Sequence, residues 1–221
     1  ESIIITASEQ NDYFRVIKQV LSLIDQENGN KTKHIGHGMM RFASGKMSSR
    51  TGNVITAEAL IEDIKELVKE KIKDRKFSAD EVNEIADIVA IGAIKYTILR
   101  SAIGSNIVFD STSSISFEGD SGPYLQYSAV RAQSILDKAK DETISIDNLS
   151  PKDVVMPDTV YPLEKMLIKF EEIVERSRAD LAPQTIASYL VTLAGLFNSF
   201  YASPVIVDKN SPLSLYYVAL T

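Results

Sequence analysis

The sequence predicts a mainly α-helical chain in which a short α/β segment is followed by a bundle of helices. Three observations predict this fold class. The chain opens in strand–helix–strand order, the unit that builds parallel sheets, over Ser2–Ala7, Tyr13–Ile24 and His34–Phe42. From residue 56 onward, apolar residues recur at helical spacing. The helical segments also begin with residues that favour helix starts, such as Ser78 paired with Glu81.

The α/β segment opens with Ser2–Ala7, which is rich in β-branched residues and is predicted to form a short buried strand. The helix predicted over Tyr13–Ile24 has apolar residues at positions 13, 14, 16, 17, 20, 21 and 24. A polar loop is predicted over Asp25–Lys33, before the second strand. Residues 43–53 follow that strand directly, and ligands usually bind at loops that follow the strands of such sheets.

Two long helices are predicted next. The first runs from its cap, Thr56, to about Lys73, with an inner face of Leu60, Ile64, Leu67 and Ile72. The second begins at the Ser78–Glu81 capping box and runs to about Arg100. Its predicted inner face consists of Val82, Ile85, Ala86, Val89, Ala93 and Tyr96. Residues 101–122 are predicted to be a loop, long enough to indicate a function or a domain joint.

The remainder of the chain is predicted to be helical. Pro123 suits a first turn and opens a helix to about Lys140. Further helices are predicted over 161–180 and 183–202, and a last one from Ser211-Pro212 to Thr221. The helix over 183–202 presents an apolar face of Ile186, Leu190, Leu193, Ala194, Phe197 and Tyr201. No internal repeat or low-complexity tract interrupts this pattern.

Composition limits the class of protein. The 221 residues are 44% hydrophobic and contain no cysteine, so disulfides and thiolate metal sites are excluded, and a cytoplasmic protein is expected. No apolar run approaches the roughly 20 residues that span a membrane. A net charge of −6 argues weakly against nucleic-acid binding, although a local basic face remains possible. Its candidate residues are Lys46, Arg50, Arg131, Lys138 and Lys140. Because the chain starts at Glu1 within a predicted strand, we expect it to be part of a longer protein.

The run Lys46-Met47-Ser48-Ser49-Arg50-Thr51-Gly52-Asn53 has the chemistry of a phosphate-binding loop. Cations and hydroxyl or N–H donors stabilise the charge that develops during phosphoryl or nucleotidyl transfer. Composition alone also fits an ordinary solvated loop. The run resembles the KMSKS loop of class I aminoacyl-tRNA synthetases, with Ser49 in place of the second lysine and Arg50 in place of the closing serine. That ending is similar to the one in the corresponding loop of arginyl-tRNA synthetases. Arg50 is the local candidate to replace the missing lysine.

His34-Ile35-Gly36-His37 spells the other class I signature, but we interpret it as a coincidence. In that family the signature opens a helix far upstream of the lysine loop, whereas here it lies close to Lys46 and no helix start follows. The segment resembles instead the strand that precedes the lysine loop in arginyl-tRNA synthetases. The resemblance implies that the backbone of Gly38 and Met39 contacts adenine.

The resemblance to arginyl-tRNA synthetases covers nearly the whole chain. Ile4–Gln10 resembles the end of the arginine pocket, which implies that Gln10 contacts the amino acid. Phe117–Tyr127 resembles the opening of the anticodon-binding domain, and it is more family-specific than the lysine loop. Further similar segments are Gly92–Tyr96, Ile107–Asp110 and Ala187–Tyr201. In the bundle, we expect mostly packing residues, with Gln126, Tyr127 and Arg131 facing RNA.

The resemblance implies the remnant of a Rossmann-like α/β nucleotide-binding domain (1–55), a helical connector (56–118) and an all-helical anticodon-binding bundle (119–221). It implies a monomer that uses ATP with Mg²⁺, arginine and tRNA(Arg), and that holds no metal of its own. Lys46, Ser48 and Arg50 are the implied catalytic residues. The implied ATP-binding residues are Gly38, Met39, Lys46, Met47, Ser48 and Ser49.

Since the first class I signature is absent from these residues, we expect them to be inactive alone. Two alternatives stay open. One is another class I synthetase, such as a cysteinyl-like enzyme, against which the run Phe117–Tyr127 argues. The other is a non-catalytic helical tRNA-binding module that has kept a decayed loop.

Overall fold

A computed structural model describes residues 1–43, 56–147, 149–150, 152 and 154–221. The chain divides into two compact units, Glu1–Ile115 and Ser116–Thr221. Helices predominate in both, which confirms the mainly α-helical prediction. Within the described residues, no helix combines the length and the apolar character that crossing a membrane requires.

The first unit begins with two parallel strands, β1 (Ser2–Ala7) and β2 (Thr32–His37), in the register Ser2↔Thr32 to Ala7↔His37. A short 3₁₀ turn, Ser8–Gln10, and helix α1 (Asn11–Ile24) form most of the crossover between them. The predicted strand is therefore present, but it is not buried: Ile5 is 65% exposed. None of the residues of α1 is buried either.

The loop predicted over Asp25–Lys33 is wrong, because helix α2 (Gln26–Lys31) lies within it. Asp25 caps this helix: its carboxylate accepts hydrogen bonds from the backbone N–H of Asn28 at 3.0 Å and from the Asn28 side chain at 2.6 Å. These bonds lower the pKa of the Asp25 carboxyl. The helix is short and polar, so it carries no apolar periodicity that the sequence could reveal.

The single strand predicted over His34–Phe42 is also wrong. It consists of β2 and a separate strand, β3 (Met40–Phe42), which pairs in parallel with β4 (Ile107–Phe109) in a different sheet. Strand β4 and the short helix α5 (Ser111–Ser114) both lie where a loop was predicted over 101–122.

Helices α3 (Ala57–Ile72) and α4 (Ala79–Leu99) follow the predicted caps. The side chain of Thr56 accepts from the N–H of Ala59, and Ser78 and Glu81 form the reciprocal capping box. The two helices enclose the core of this unit. Its buried residues are Leu60, Ile64, Val68, Ala86, Ala90, Ala93, Phe109 and Ile115. Leu67, predicted to face inward, is 39% exposed, and Val68 takes its place.

The second unit is a helical bundle. It contains α6 (Gly122–Asp141), α7 (Pro162–Leu167), α8 (Phe170–Asp180), α9 (Gln184–Tyr201) and α10 (Ser214–Leu220). The helix predicted over 161–180 is therefore two helices. The core of the second unit contains Ile135, Ala139, Leu163, Phe197, Phe200, Ile206, Val207, Tyr216, Tyr217 and Val218. Leu190 and Tyr201, placed on the apolar face of α9 by the sequence, are 36% and 43% exposed.

Candidate functional site

In the first unit, a second segment of the chain fixes the break between β2 and β3. The N–H of Met39 donates to Oδ1 of Asn106 at 2.9 Å, and the N–H of Ile107 donates to the carbonyl of Met39 at 3.0 Å. Gly38 lies so close to this segment that a Cβ would be 1.9 Å from the carbonyl oxygen of Ser105. The backbone conformation at Gly38 and Met39, the predicted adenine contacts, is therefore set by residues 105–107.

Gln10, predicted to contact the amino acid, lies at the end of the 3₁₀ turn that follows β1. Its side chain is exposed. Ala7 at the end of β1 pairs with His37 at the end of β2. Gln10 and Gly38 therefore both follow the carboxyl ends of paired parallel strands, the edge at which ligands usually bind in such sheets.

The residues predicted to bind phosphate, Lys46, Met47, Ser48, Ser49 and Arg50, lie outside the described residues. The chain on either side of them is described. Before them, the N–H of Ala43 donates to the carbonyl of Phe109 at 3.0 Å, which extends the β3–β4 pairing. After them, Thr56 caps α3. The predicted phosphate loop thus connects a strand end to a helix start.

The tetrapeptide His34-Ile35-Gly36-His37 lies in strand β2 rather than at a helix start. His34 Nε2 lies 2.8 Å from Oγ1 of Thr6, and its ring stacks on Phe14 with centroids 4.3 Å apart. His37 Nδ1 lies 2.8 Å from the carbonyl oxygen of Gly38. Both histidines have local structural partners, which agrees with interpreting the motif as a coincidence.

In the second unit, Tyr127 and Arg131 lie in contact on one face of α6. The guanidinium carbon of Arg131 lies 4.4 Å from the ring centroid of Tyr127 and 4.4 Å from that of Tyr201, at the end of α9. The guanidinium also donates a hydrogen bond to the hydroxyl of Tyr127. Both tyrosines are 43% exposed, so one cation contacts two accessible aromatic rings.

Asn198 forms a cluster with Tyr127, Arg131 and Tyr201 and connects it to the interior of the bundle. Its Oδ1 accepts from Nη1 of Arg131 at 2.6 Å. Its Nδ2 donates to the hydroxyl of Tyr124 at 3.1 Å and to Oγ of Ser128 at 2.9 Å. Ser128 in turn donates to the carbonyl of Tyr124 at 2.9 Å. One amide therefore joins two helices, α6 and α9, through three hydrogen bonds.

The cluster opens onto a cavity of about 560 Å³ in the second unit. From α6, polar atoms of Tyr127, Arg131, Ser134 and Lys138 line it beside the apolar side chains of Val130 and Ile135. Residues 204–207 add further apolar side chains to the lining. Aromatic rings, cations and an apolar wall are the groups that proteins use to hold unpaired nucleotides.

The structure thus brings together two of the three residues predicted to bind RNA. Gln126, the third, is half-buried and lies about 100° around α6 from Tyr127. The sequence did not reveal Asn198 and Tyr201 as members of this cluster. The available signal was their spacing of three residues on one helical face, within a run whose aromatic residues otherwise form core.

Among the residues that the structure describes, no three histidine, aspartate or glutamate side chains are grouped so as to hold a metal ion. Asp110 illustrates the local role of the carboxylates. It caps α5 and accepts from the N–H of Ser113 at 2.6 Å. Hydrogen bonding from Ser113 lowers the pKa of this carboxyl.

Two family models match the chain in succession. Residues 1–111 match the tRNA synthetases class I (R), catalytic domain, and residues 125–217 match the DALR anticodon binding domain. The first match lies within the first unit, and the second lies within the second unit.

Curated relatives carry the name arginine–tRNA ligase. Those of Borrelia hermsii and Lactobacillus johnsonii are 35% and 34% identical over 96% of this chain. The chain spans only 36% and 37% of their respective lengths. The solved Thermus thermophilus arginyl-tRNA synthetase matches all of this chain with a TM-score of 0.82 and 25% identity, over 37% of its own length. The Plasmodium falciparum enzyme shares the fold, with a TM-score of 0.77 at 19% identity.

Proposed function

The chain belongs to the arginyl-tRNA synthetases of class I, and from that premise we propose that it is the part of an arginine–tRNA ligase that holds the phosphate loop and the anticodon-binding surface. The observation that carries this proposal is the succession of two matches in one chain. A class I catalytic model covers residues 1–111, and an anticodon-binding model covers 125–217. A cysteinyl-like synthetase is disfavoured by the arginine-specific catalytic match.

The proposed reaction has two steps. ATP and arginine form enzyme-bound arginyl-adenylate and pyrophosphate, and the 3′ end of tRNA(Arg) then attacks the adenylate. No protein nucleophile is required, because catalysis consists of positioning and of charge stabilisation at the α-phosphate. Lys46, Ser48 and Arg50 are proposed to hold the departing pyrophosphate, whose charge they offset together with the Mg²⁺ that accompanies ATP.

The remaining substrate contacts are proposed around the break between β2 and β3. Gly38 and Met39, with Met47 and Ser49, are assigned to ATP, and Gln10 is assigned to arginine. The support is positional: Gln10 and Gly38 follow the carboxyl ends of the same pair of strands. The hydrogen bond from the N–H of Met39 to Asn106 and the one that Met39 accepts from Ile107 hold this backbone in one conformation.

The proposed partner of the second unit is tRNA(Arg). The cavity beside Tyr127 and Arg131 combines exposed rings with a second cation, Lys138. Stacking of a base on an aromatic ring stabilises binding by about 1–3 kcal/mol, and Lys138 adds attraction to phosphate. Gln126, Tyr127 and Arg131 are proposed to belong to this surface.

We also propose the division into residues 1–55, 56–118 and 119–221. The boundary between the two compact units, at Ile115 and Ser116, supports a joint near residue 118. A monomeric, cytoplasmic enzyme is part of the same proposal.

The proposal is tested by titrating the 221-residue chain with an arginine-accepting tRNA transcript and with the same transcript carrying a changed anticodon. The titrations are made at about 50 mM and about 200 mM salt, because phosphate contacts alone weaken steeply over that range. We expect weaker binding of the changed transcript at both salt concentrations. Equal binding of the two would contradict anticodon recognition and would favour a charge-driven contact of a non-catalytic helical module.

A further inference from the structure

The side-chain amide of Asn198 has only one orientation that satisfies its neighbours. The hydroxyl of Ser128 donates its hydrogen to the carbonyl of Tyr124, so its oxygen is left to accept from Asn198. Nδ2 of Asn198 must therefore point toward Ser128 and Tyr124. Oδ1 must then point toward Arg131, which carries donors only.

This fixed oxygen holds the guanidinium of Arg131 in place. The guanidinium carbon lies 4.4 Å from the ring centroids of both Tyr127 and Tyr201, so both rings contact the group. One nitrogen donates to Asn198 and another to the Tyr127 hydroxyl. These bonds use two of its five N–H donors and fix the orientation of the group. The two rings that it contacts each keep an accessible surface.

We infer that Asn198 is a positioning residue: it holds Arg131 against the rings of Tyr127 and Tyr201, and the resulting cluster is the rigid platform on which an unpaired base of the tRNA stacks. This inference rests on the proposed function of the second unit. It assigns RNA contact to the exposed surfaces of the two rings, and it assigns to Arg131 the task of holding them in place. Binding gains because the rings are ordered before the RNA arrives.

The competing role for Arg131 is direct contact with a phosphate, and Asn198→Asp separates the two roles. The carboxylate of N198D still accepts from Arg131, and the hydroxyls of Tyr124 and Ser128 can rotate to donate to it. The contacts of Arg131 with both rings are therefore retained while the local positive charge is cancelled. Asn198→Ala removes the oxygen that holds the guanidinium and leaves its charge intact.

The experiment measures the affinity of the chain and its variants for the matched and the changed transcript at about 50 mM and about 200 mM salt. We expect N198A to bind the matched transcript about tenfold more weakly, as for a lost stacking contact, with an unchanged slope of affinity against salt. N198D should stay within about threefold of the wild type at the higher salt, where charge is screened. Ser199→Ala is the matched control, because Ser199 lies next in α9 and donates only within its helix.

If Asn198 had a purely structural role, N198A would lose thermal stability but would keep its affinity for the matched transcript at a temperature where the variant is folded. That result would overturn the inference. So would N198D losing as much affinity as N198A at the higher salt, since charge would then be the contact. If N198A does not fold, Tyr124→Phe, which removes one of the two acceptors that orient the amide, takes its place with an expected loss of about threefold.

A second measurement does not depend on RNA. In ¹⁵N-arginine NMR spectra, the guanidinium of Arg131 should rotate slowly in the wild type and in N198D, and rapidly in N198A. Equal rotation in all three would overturn the inference. A wild-type chain that binds both transcripts equally contradicts the proposed function itself, whereas a wild-type chain that discriminates between them beside an unaffected N198A contradicts only the role of Asn198.

Discussion

Replacing Gly38 by alanine should destabilise the first unit, and the structure gives the size of the effect. A Cβ at this position would lie 1.9 Å from the carbonyl oxygen of Ser105 and 2.7 Å from the backbone nitrogen of Asn106. Both are backbone atoms, so no side-chain rotation relieves the contact. Since non-bonded heavy atoms ordinarily lie about 3.5 Å apart, the segment after α4 must move by more than an ångström.

Such a movement separates the hydrogen bonds that join this segment to Met39. They are the 2.9 Å bond to Asn106 and the 3.0 Å bond from Ile107. Two bonds at about 1 kcal/mol each, with some strain from overpacking, give an expected loss of about 3 kcal/mol in the free energy of unfolding. The ATP contacts proposed at Gly38 and Met39 should weaken with it.

Urea unfolding measures the loss of stability. Hydrogen exchange at the amide of Ile107 reports directly on its bond to Met39. Gly195→Ala is the control: a Cβ there meets only the hydroxyl of Tyr124 at 3.9 Å, in mid-helix. We expect that variant to be unchanged or to gain up to about 1 kcal/mol. A G38A chain with the wild-type urea midpoint and an equally protected Ile107 amide would refute the steric argument.

Two further predictions concern the helix cap and the phosphate loop. Hydrogen bonds from the N–H and the hydroxyl of Ser78 hold the pKa of Glu81 below its ordinary value of 4.5. The ionised form therefore stabilises the fold above that value, and this contribution is lost as the pH falls through the lowered pKa. The difference in urea midpoint between wild type and Glu81→Gln should accordingly be present at neutral pH and vanish in acid; a difference that persists in acid contradicts the cap's role. In an intact enzyme that contains this segment, Lys46→Ala should lower the rate of ATP–pyrophosphate exchange by about 100-fold or more, while His34→Ala and His37→Ala cost far less. Equal losses for the three would show that the histidines are a true signature.

The parts of the fold that the sequence predicts well are those with local causes. The caps at Thr56 and at Ser78–Glu81 act within four residues, so the starts of α3 and α4 are readable directly. The break between β2 and β3 has a distant cause. It depends on Asn106, which lies 67 residues after Met39, and on the adjacent Ile107, and no local pattern predicts either contact. The same distance hides β4 within what looks like a loop.

The residues of the candidate RNA-binding cluster also differ in how well the sequence predicts them. Tyr127 ends the family-specific run Phe117–Tyr127 and Arg131 lies about one helical turn after it, so the sequence singles them out. Asn198 and Tyr201 lie on another helix and resemble core residues of an apolar face. Only packing of α6 against α9 reveals that Asn198 accepts a hydrogen bond from Arg131 and that the ring of Tyr201 contacts its guanidinium.

The pairing of β3 with β4 also has a consequence for biosynthesis. The ribosome adds about 5–20 residues per second, so β4 emerges roughly 3 to 13 s after β3. Throughout that interval β4, the strand that pairs with Met40–Phe42 in the described part of the chain, has not been made, whereas α3 and α4, which are adjacent in the chain, can already pack together. The helical hairpin is thus expected to assemble first and to deliver Ile107–Phe109 to a waiting strand. The nascent chain completes this strand pair late, after the polypeptide on both sides of the phosphate loop has been made.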